Sequence, residues 1–360
     1  MDGGDMLHVW WTCKKLKPFW DQERAQEMSH LFHMEELEAV SPVAHKRFLQ
    51  LNNLTAVSEF LLLGFQISQG IRMFLFSLFL VIYCGTICGN LLIIVLVSTS
   101  RNLHTPMYFF ISQLSISDML VITDVVPNLL HILLNNGGVV SFLACISQMY
   151  IFCASEAFEC FLLTAMSYDR YVAIRDPLHY SSIMTTRHCV ILSIAIWLLG
   201  FSIILNFIIK IANMIFCGPN IIDHFFCDLV PLLELSCSDT FATHLTIYLL
   251  AVPSFIIPTT IIIVSYTYIV RAVLRIQSNT SRQKAFSTCS SHLIVVSIFY
   301  STLFGVYIFP TKGQSLIISK ILSLLYTVFT PLINPIIYSL RNKDIMKAVQ
   351  KHLCRPNLQY

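Results

Sequence analysis

Polar positions break the apolar ones only at intervals along most of this chain. Seven apolar stretches stand out, at residues 73–99, 107–134, 142–174, 188–209, 244–274, 285–309 and 319–340. Each is long enough to cross a bilayer as a helix, which takes roughly 20 residues. Only helices and closed barrels satisfy the backbone in lipid. The apolar positions do not alternate with period two, so a barrel is not expected. The pattern predicts an all-α membrane protein, a seven-transmembrane helix bundle.

Composition agrees. The 360 residues are 56% hydrophobic and 12% charged, with a mean hydropathy of +0.69. A soluble domain carries about 25% charged residues, so this chain cannot cover a water-facing surface. The net charge of +3 says little about partners, and no basic stripe points to nucleic acid. Lys and Arg do set the orientation. Arg101, Arg175, Arg187, Arg271, Arg275, Arg282 and Lys284 fall on one side, with Arg341, Lys343, Lys347, Lys351 and Arg355 in the tail. The other side offers Lys210, Lys312 and Lys320. The C-terminus is expected in the cytosol and the N-terminus outside.

The ends divide accordingly. Residues 1–50 are polar and mixed in charge, with no apolar core of a cleaved signal peptide. They are expected to form a disordered extension, leaving the first span to direct insertion. Residues 51–72 form an extracellular segment holding the acceptor triplet Asn53-Leu54-Thr55, a glycosylation candidate. The helical domain is expected over 73–340 and a cytosolic tail over 341–360. Cys84, Cys88, Cys153, Cys160, Cys189 and Cys289 read as small apolar residues of the spans. Cys145, Cys217, Cys227 and Cys237 lie on the outer, oxidising side, where four cysteines allow three pairings. Cys354, in the basic tail, is a candidate for acylation against the plain reading of a free thiol.

Ionisable and amide groups at membrane depth are the informative ones, because each costs free energy unless partnered or used. Asn90, Asp118 and Asn334 fall at similar depth in the first, second and seventh spans. They read as a polar core, either as interhelical glue or as a switch element. The adjacent Pro335, which frees a backbone carbonyl and hinges a helix, favours the switch. Glu156 and Glu159, three apart, share one face of the third span. Glu156 reads equally as a ligand contact or a buried pair member, and Glu159 as structural. Asp169 and Arg170 end the same span side by side at the cytosolic face.

These residues come in a recognisable order. "GNLLIIVLV", "LHTPMYFFISQLSISDML", "MSYDRYVAIRDPLHY", Ser265-Tyr266, "KAFSTCSSHL" and "PLINPIIYSLRN", with "HFFCDLVPLLELSCSDT" between the fourth and fifth spans, are similar to the motifs of vertebrate olfactory receptors. These form a branch of the rhodopsin-like G-protein-coupled receptors. The resemblance runs from about residue 52 to 347. Three departures stand out. Arg175 replaces the family's usual Cys, Glu156 replaces a usually small residue, and residues 1–50 have no counterpart in typical members.

The resemblance implies disulfides Cys145–Cys227 and Cys217–Cys237, forming a constrained lid over a pocket between helices. The pocket candidates are Phe152, Cys153, Glu156, Ala157, Ala251, Ser254, Tyr300, Leu303, Phe304, Tyr307 and Thr327. Each aromatic among them also reads as plain helix packing. The lining is apolar with a few polar anchors, suited to small volatile organics, and Glu156 points to an amine or another hydrogen-bond donor. Asp169, Arg170, Tyr171, Tyr266, Asn334, Pro335 and Tyr338 are implied as the switch that admits a stimulatory heterotrimeric G protein and raises cyclic AMP. A plasma-membrane receptor in contact with lipid is implied, with no cofactor and no metal. The run His224-Phe225-Phe226-Cys227-Asp228 also reads as a metal site, but a disulfide at Cys227 leaves it too few soft ligands. No catalytic motif marks the spans, so an enzyme is not expected. The alternatives are a non-olfactory receptor of the same fold and a small-molecule transporter, for which inverted repeats and paired broken helices are lacking.

Overall fold

A computed structural model describes residues 57–216, 220–237, 241–275, 277–308 and 316–353. Seven long helices are present among the described residues. They are α1 (Gln69–Thr99), α2 (Pro106–Asn135), α3 (Phe142–Arg175), α4 (Thr186–Ala212), α5 (Phe241–Leu274), α6 (Asn279–Ile308) and a composite α7. Helix α7 joins Leu316–Leu324, a π-helical turn Leu325–Phe329 and Thr330–Arg341. Among the described residues, six contain long apolar windows, and α6 contains the apolar stretch Cys289–Gly305.

Local chemistry sets the helix ends. Pro106 opens α2 at a position where its missing N–H costs nothing. Asn136 closes α2 in the left-handed conformation at φ 54°, which asparagine tolerates. The Ser141 hydroxyl accepts the Ala144 N–H at 3.2 Å to start α3, and Thr185 accepts the His188 N–H at 3.2 Å to start α4.

Burial sorts the helices. In α2 and α3, 61% of the most apolar window is buried, against 28% in α1 and α4. Helices α2 and α3 therefore form the centre, while α1 and α4 turn most of their apolar surface to lipid. Gly200 lets α4 approach α3 closely, since a Cβ there would lie 3.3 Å from the Ala154 carbonyl oxygen. Beside it Trp197 stacks on Phe158 at 3.7 Å between centroids.

Two features differ from the expectation of spans and loops. First, the outer end carries a small sheet of order β2-β1-β3, with β1 (Glu59–Leu62), β2 (Gly138–Ser141) and β3 (Ile221–Ile222). Strand β1 runs antiparallel to β2, pairing Leu62 with Gly138, and parallel to β3, pairing Leu61 with Ile221. It ties the extracellular segment to the α2–α3 turn and the α4–α5 loop, with Phe60 and Leu62 buried. Strands of two to four residues are fixed by non-local pairing and leave almost no periodic signal. Second, the expected tail contains a further helix, α8 (Lys343–Leu353), which packs Ile345 and Ala348 inward. The expected extension at residues 1–50 and the acceptor Asn53 lie outside the described residues, as do Cys217 and Cys354.

Candidate functional site

The deepest polar contacts meet at α7. Pro335 has no N–H to offer the carbonyl one turn earlier, that of Pro331. Asn90 of α1 satisfies it, its Nδ2 donating to the Pro331 oxygen at 3.2 Å and to the Thr86 oxygen at 3.1 Å. One residue from the proline, Asn334 Nδ2 donates to both Asp118 oxygens, at 3.0 and 3.3 Å. Asn90, Asp118 and Asn334 are all buried. The break in α7 is thus held by side chains of α1 and α2. Glu159 of α3 is buried beside Ser117 and within electrostatic reach of Asp118.

At the cytosolic end, Arg170 Nε donates to Asp169 Oδ2 at 2.8 Å, and the Tyr180 hydroxyl donates to Oδ1 at 2.7 Å. Asp169 is fully buried and the Arg170 side chain is 13% exposed, so the pair is shielded from water. Tyr180 lies in a short helical turn, Tyr180–Ile183, of the α3–α4 loop. Its contact with Asp169 raises the pKa of the phenol, through burial first and the carboxylate second. Tyr266 of α5 and His292 of α6 are hydrogen-bonded to one another, and Tyr338 of α7 is buried with its hydroxyl unpartnered. Tyr171 faces the other way, toward Arg175 and Tyr268.

The outer half holds the pocket candidates. Cys153, Glu156 and Ala157 are half-buried on one face of α3, and one Glu156 carboxylate oxygen is buried without a partner. Glu156 lies within electrostatic reach of Glu159 and Asp228. Tyr300 and Leu303 of α6 are buried. The Tyr300 hydroxyl sits beside Thr259 and Cys160 without a hydrogen bond of ordinary geometry. An aromatic row joins α5 to α6, with Phe255 5.1 Å from Tyr300 and 5.2 Å from Phe304. Ser254 is half-buried, and Phe304 is 39% exposed. Phe152 is wedged between Phe226 and Tyr326, at 5.4 and 5.5 Å, and so packs the loop against α3 and α7. Thr327 is fully buried and donates its hydroxyl to the Ser323 carbonyl at 2.8 Å. The side chains of Ala251 and Tyr307 lie outside the described residues.

The α4–α5 loop closes this half. A disulfide joins Cys145 to Cys227, and Cys237 is also disulfide-bonded. Gln148 clamps the loop, donating to the Asp124 carbonyl at 2.7 Å and accepting the Cys227 N–H at 3.0 Å. Lys320 of α7 pairs with Asp223 at 2.5 Å and donates to the Gly64 carbonyl at 2.7 Å. Asp228 accepts the Leu229 N–H at 2.7 Å and the Tyr326 hydroxyl at 3.4 Å. Burial nevertheless raises its pKa to about 6. His224 stacks on Phe225 with neither ring nitrogen hydrogen-bonded in ordinary geometry. Burial, with Lys320 adding to it, lowers its pKa to about 3. Among the described residues, no three His, Cys, Asp or Glu side chains gather as metal ligands.

Several of these residues were not singled out from the sequence. Asp124 and His292 are ionisable groups inside apolar runs, and the rule that flagged Asp118 applies equally to them. Lys320 was counted only as a topological charge. Phe255 and Asp223 carry no distinguishing signal.

Comparison with known proteins follows the same lines. The olfactory receptor family model matches residues 79–356. The chain is 42% identical to rat olfactory receptor 1468 over 86% of its own length and 98% of that protein. It is 42% identical to mouse olfactory receptor 1E16, over 85% of this chain and 98% of the relative. Against human olfactory receptor 11L1 identity is 45%, over 84% of this chain and 94% of the relative.

Proposed function

The chain belongs to the olfactory receptor family, and from that premise we propose that it binds small volatile organic ligands and activates a stimulatory heterotrimeric G protein, raising cyclic AMP. The observation that carries the proposal is the shielded Asp169–Arg170 pair under Tyr180, at the cytosolic end of the helix that also presents Glu156. One rigid helix links the two ends. A buried ion pair opens only when something binds the open state better than the closed one. Ligand at the outer half and G protein at the inner end both supply such differential binding, so each tightens the other.

The ligand chemistry follows from Glu156. Its unpartnered carboxylate oxygen favours an amine or hydroxyl donor, and the row of Phe255, Tyr300 and Phe304 supplies apolar surface. The disulfide at Cys227 and the Gln148 clamp hold the loop over this region, so less loop entropy is lost on binding. The switch assigned to Asn334, Pro335 and Tyr338 works through the break in α7, whose hydrogen bonds to α1 and α2 must rearrange if the helix shifts.

The test is an odorant panel, rich in amines and alcohols, against surface-expressed receptor with a cyclic AMP readout. Uptake of labelled ligand is measured in parallel. Ligand-evoked cyclic AMP without uptake supports the proposal, and uptake without cyclic AMP rejects it in favour of transport.

A further inference from the structure

Arg175 has no part in the switch described above, yet it sits in a defined place. It lies in the last turn of α3, hydrogen-bonded to the Tyr171 hydroxyl, with its guanidinium carbon 5.4 Å from the Tyr171 ring centre. Tyr171 in turn packs on Tyr268 of α5 at 6.0 Å. Between these helices is a groove of about 270 Å³, lined by Arg175, Arg271 and Arg275 together with the two tyrosines. Among the described residues, no acidic side chain lines it. Asp176, next to Arg175 in the chain, lies outside the lining; it is engaged by the His179 ring at 2.9 Å and also feels the Arg175 charge.

We propose that this groove is a binding site for the headgroup of a polyphosphorylated inositol lipid of the cytosolic leaflet. Three observations carry it. Three guanidiniums line one concavity with no carboxylate among its lining residues, and guanidinium forks match phosphate geometry. The positive-inside pattern puts the groove at the cytosolic boundary, where anionic lipids concentrate and basic pockets between helices recruit them. Finally, α5 offers the acyl chain a path. Val264 lies one turn above Tyr268 on the same helix face, and both are exposed, at 48% and 49%. A soluble anion has no use for that apolar strip, whereas a lipid does. Occupancy would brace α3 against α5 beside the Asp169–Arg170 pair.

The test uses full-length receptor purified into nanodiscs. Native mass spectrometry counts bound phosphatidylinositol bisphosphate in competition with phosphatidylserine, with soluble inositol trisphosphate and with inorganic phosphate. The bisphosphate lipid should be retained over phosphatidylserine and displaced only weakly by inositol trisphosphate. Arg175→Cys, Arg271→Gln and Arg275→Gln should each weaken binding roughly fivefold, and the triple variant about a hundredfold. Because a triple variant can misfold, Arg275→Gln alone decides the case if the triple variant is not monodisperse. Unchanged lipid binding in a monodisperse triple variant, or in Arg275→Gln alone, overturns the proposal. Equal retention of phosphatidylserine reduces the groove to general membrane electrostatics and also overturns it. So does displacement by inorganic phosphate as effective as by the lipid, which would mark an adventitious anion site only.

Discussion

Two ionisable side chains in the α4–α5 loop are buried with opposite consequences for pH, which gives a sharp prediction. His224 is neutral in the folded loop, its pKa lowered from 6.5 to about 3 by burial and by Lys320. Between those values the unfolded chain binds a proton that the folded chain does not, so stability falls as the pH drops below 6.5. At pH 5 the gap is about 1.5 units, a loss of about 2 kcal/mol. Asp228 has the opposite sign. Its pKa is raised from 3.8 to about 6 by burial, so between those values the folded chain binds more protons. Its contribution is present at low pH and lost as the pH rises through about 6; going from pH 7 to pH 5 restores about 1.3 kcal/mol. The two partly offset one another in the native loop, leaving a loss of about 0.7 kcal/mol at pH 5. His224→Phe, which keeps an aromatic ring against Phe225 and Phe226, should make the protein more stable at pH 5 than at pH 7, relative to the parent, by about 2 kcal/mol. Asp228→Asn should shift the pH 5 to pH 7 difference the other way by about 1.3 kcal/mol. Unfolding by SDS titration in mixed micelles at the two pH values measures this, and all other titrating groups cancel in the comparison. Parallel pH dependence in all three proteins would refute the assignment.

Other predictions concern the links between elements. Asp223→Asn removes the negative charge that neutralises the buried Lys320 ammonium, leaving it neutral partners such as the Gly64 carbonyl and the Phe65 ring at 6.0 Å, and should cost about 2–3 kcal/mol, the low end because Asp223 is 33% exposed. Lys320→Met, which leaves Asp223 reachable by water, should cost less; a reversed order in thermal unfolding would contradict the pairing. Tyr180→Phe removes a hydrogen bond to the buried Asp169, worth about 1.5–3 kcal/mol. It should raise ligand-independent cyclic AMP at matched surface level, and an unchanged baseline would count against a closed lock. Glu156→Gln should weaken responses to amines by about tenfold or more while sparing apolar ligands. Equal effects on both classes would remove Glu156 from ligand recognition.

The helices were legible because membrane burial writes long apolar runs, and a run of 20 or more residues survives every local exception. The polar core was legible for a related reason, since Asn90, Asp118 and Asn334 stand out against lipid-compatible neighbours. What the sequence did not show depends on contacts made at a distance. The sheet rests on pairs such as Leu61 with Ile221, 160 positions away along the chain. The Asn90 bond to the Pro331 carbonyl needs the α1–α7 packing to exist first. Phe152 and Thr327 illustrate a further limit. Helix position alone does not tell a lining residue from one that turns into a neighbour, and here both side chains are taken up by the fold. Helix α8 was hidden because its alternation of charge and small apolar residues looks like a solvated tail until Ile345 and Ala348 find the bundle.

The claim that the outer half and the Asp169–Arg170 end form one coupled device is tested most directly with purified components. Receptor in nanodiscs is mixed with a stimulatory heterotrimeric G protein, and nucleotide exchange is followed with and without the most active odorant from the panel. The account predicts that odorant accelerates exchange and that bound G protein tightens odorant binding by the same factor. Odorant binding that is indifferent to the G protein, with exchange unchanged, would contradict it.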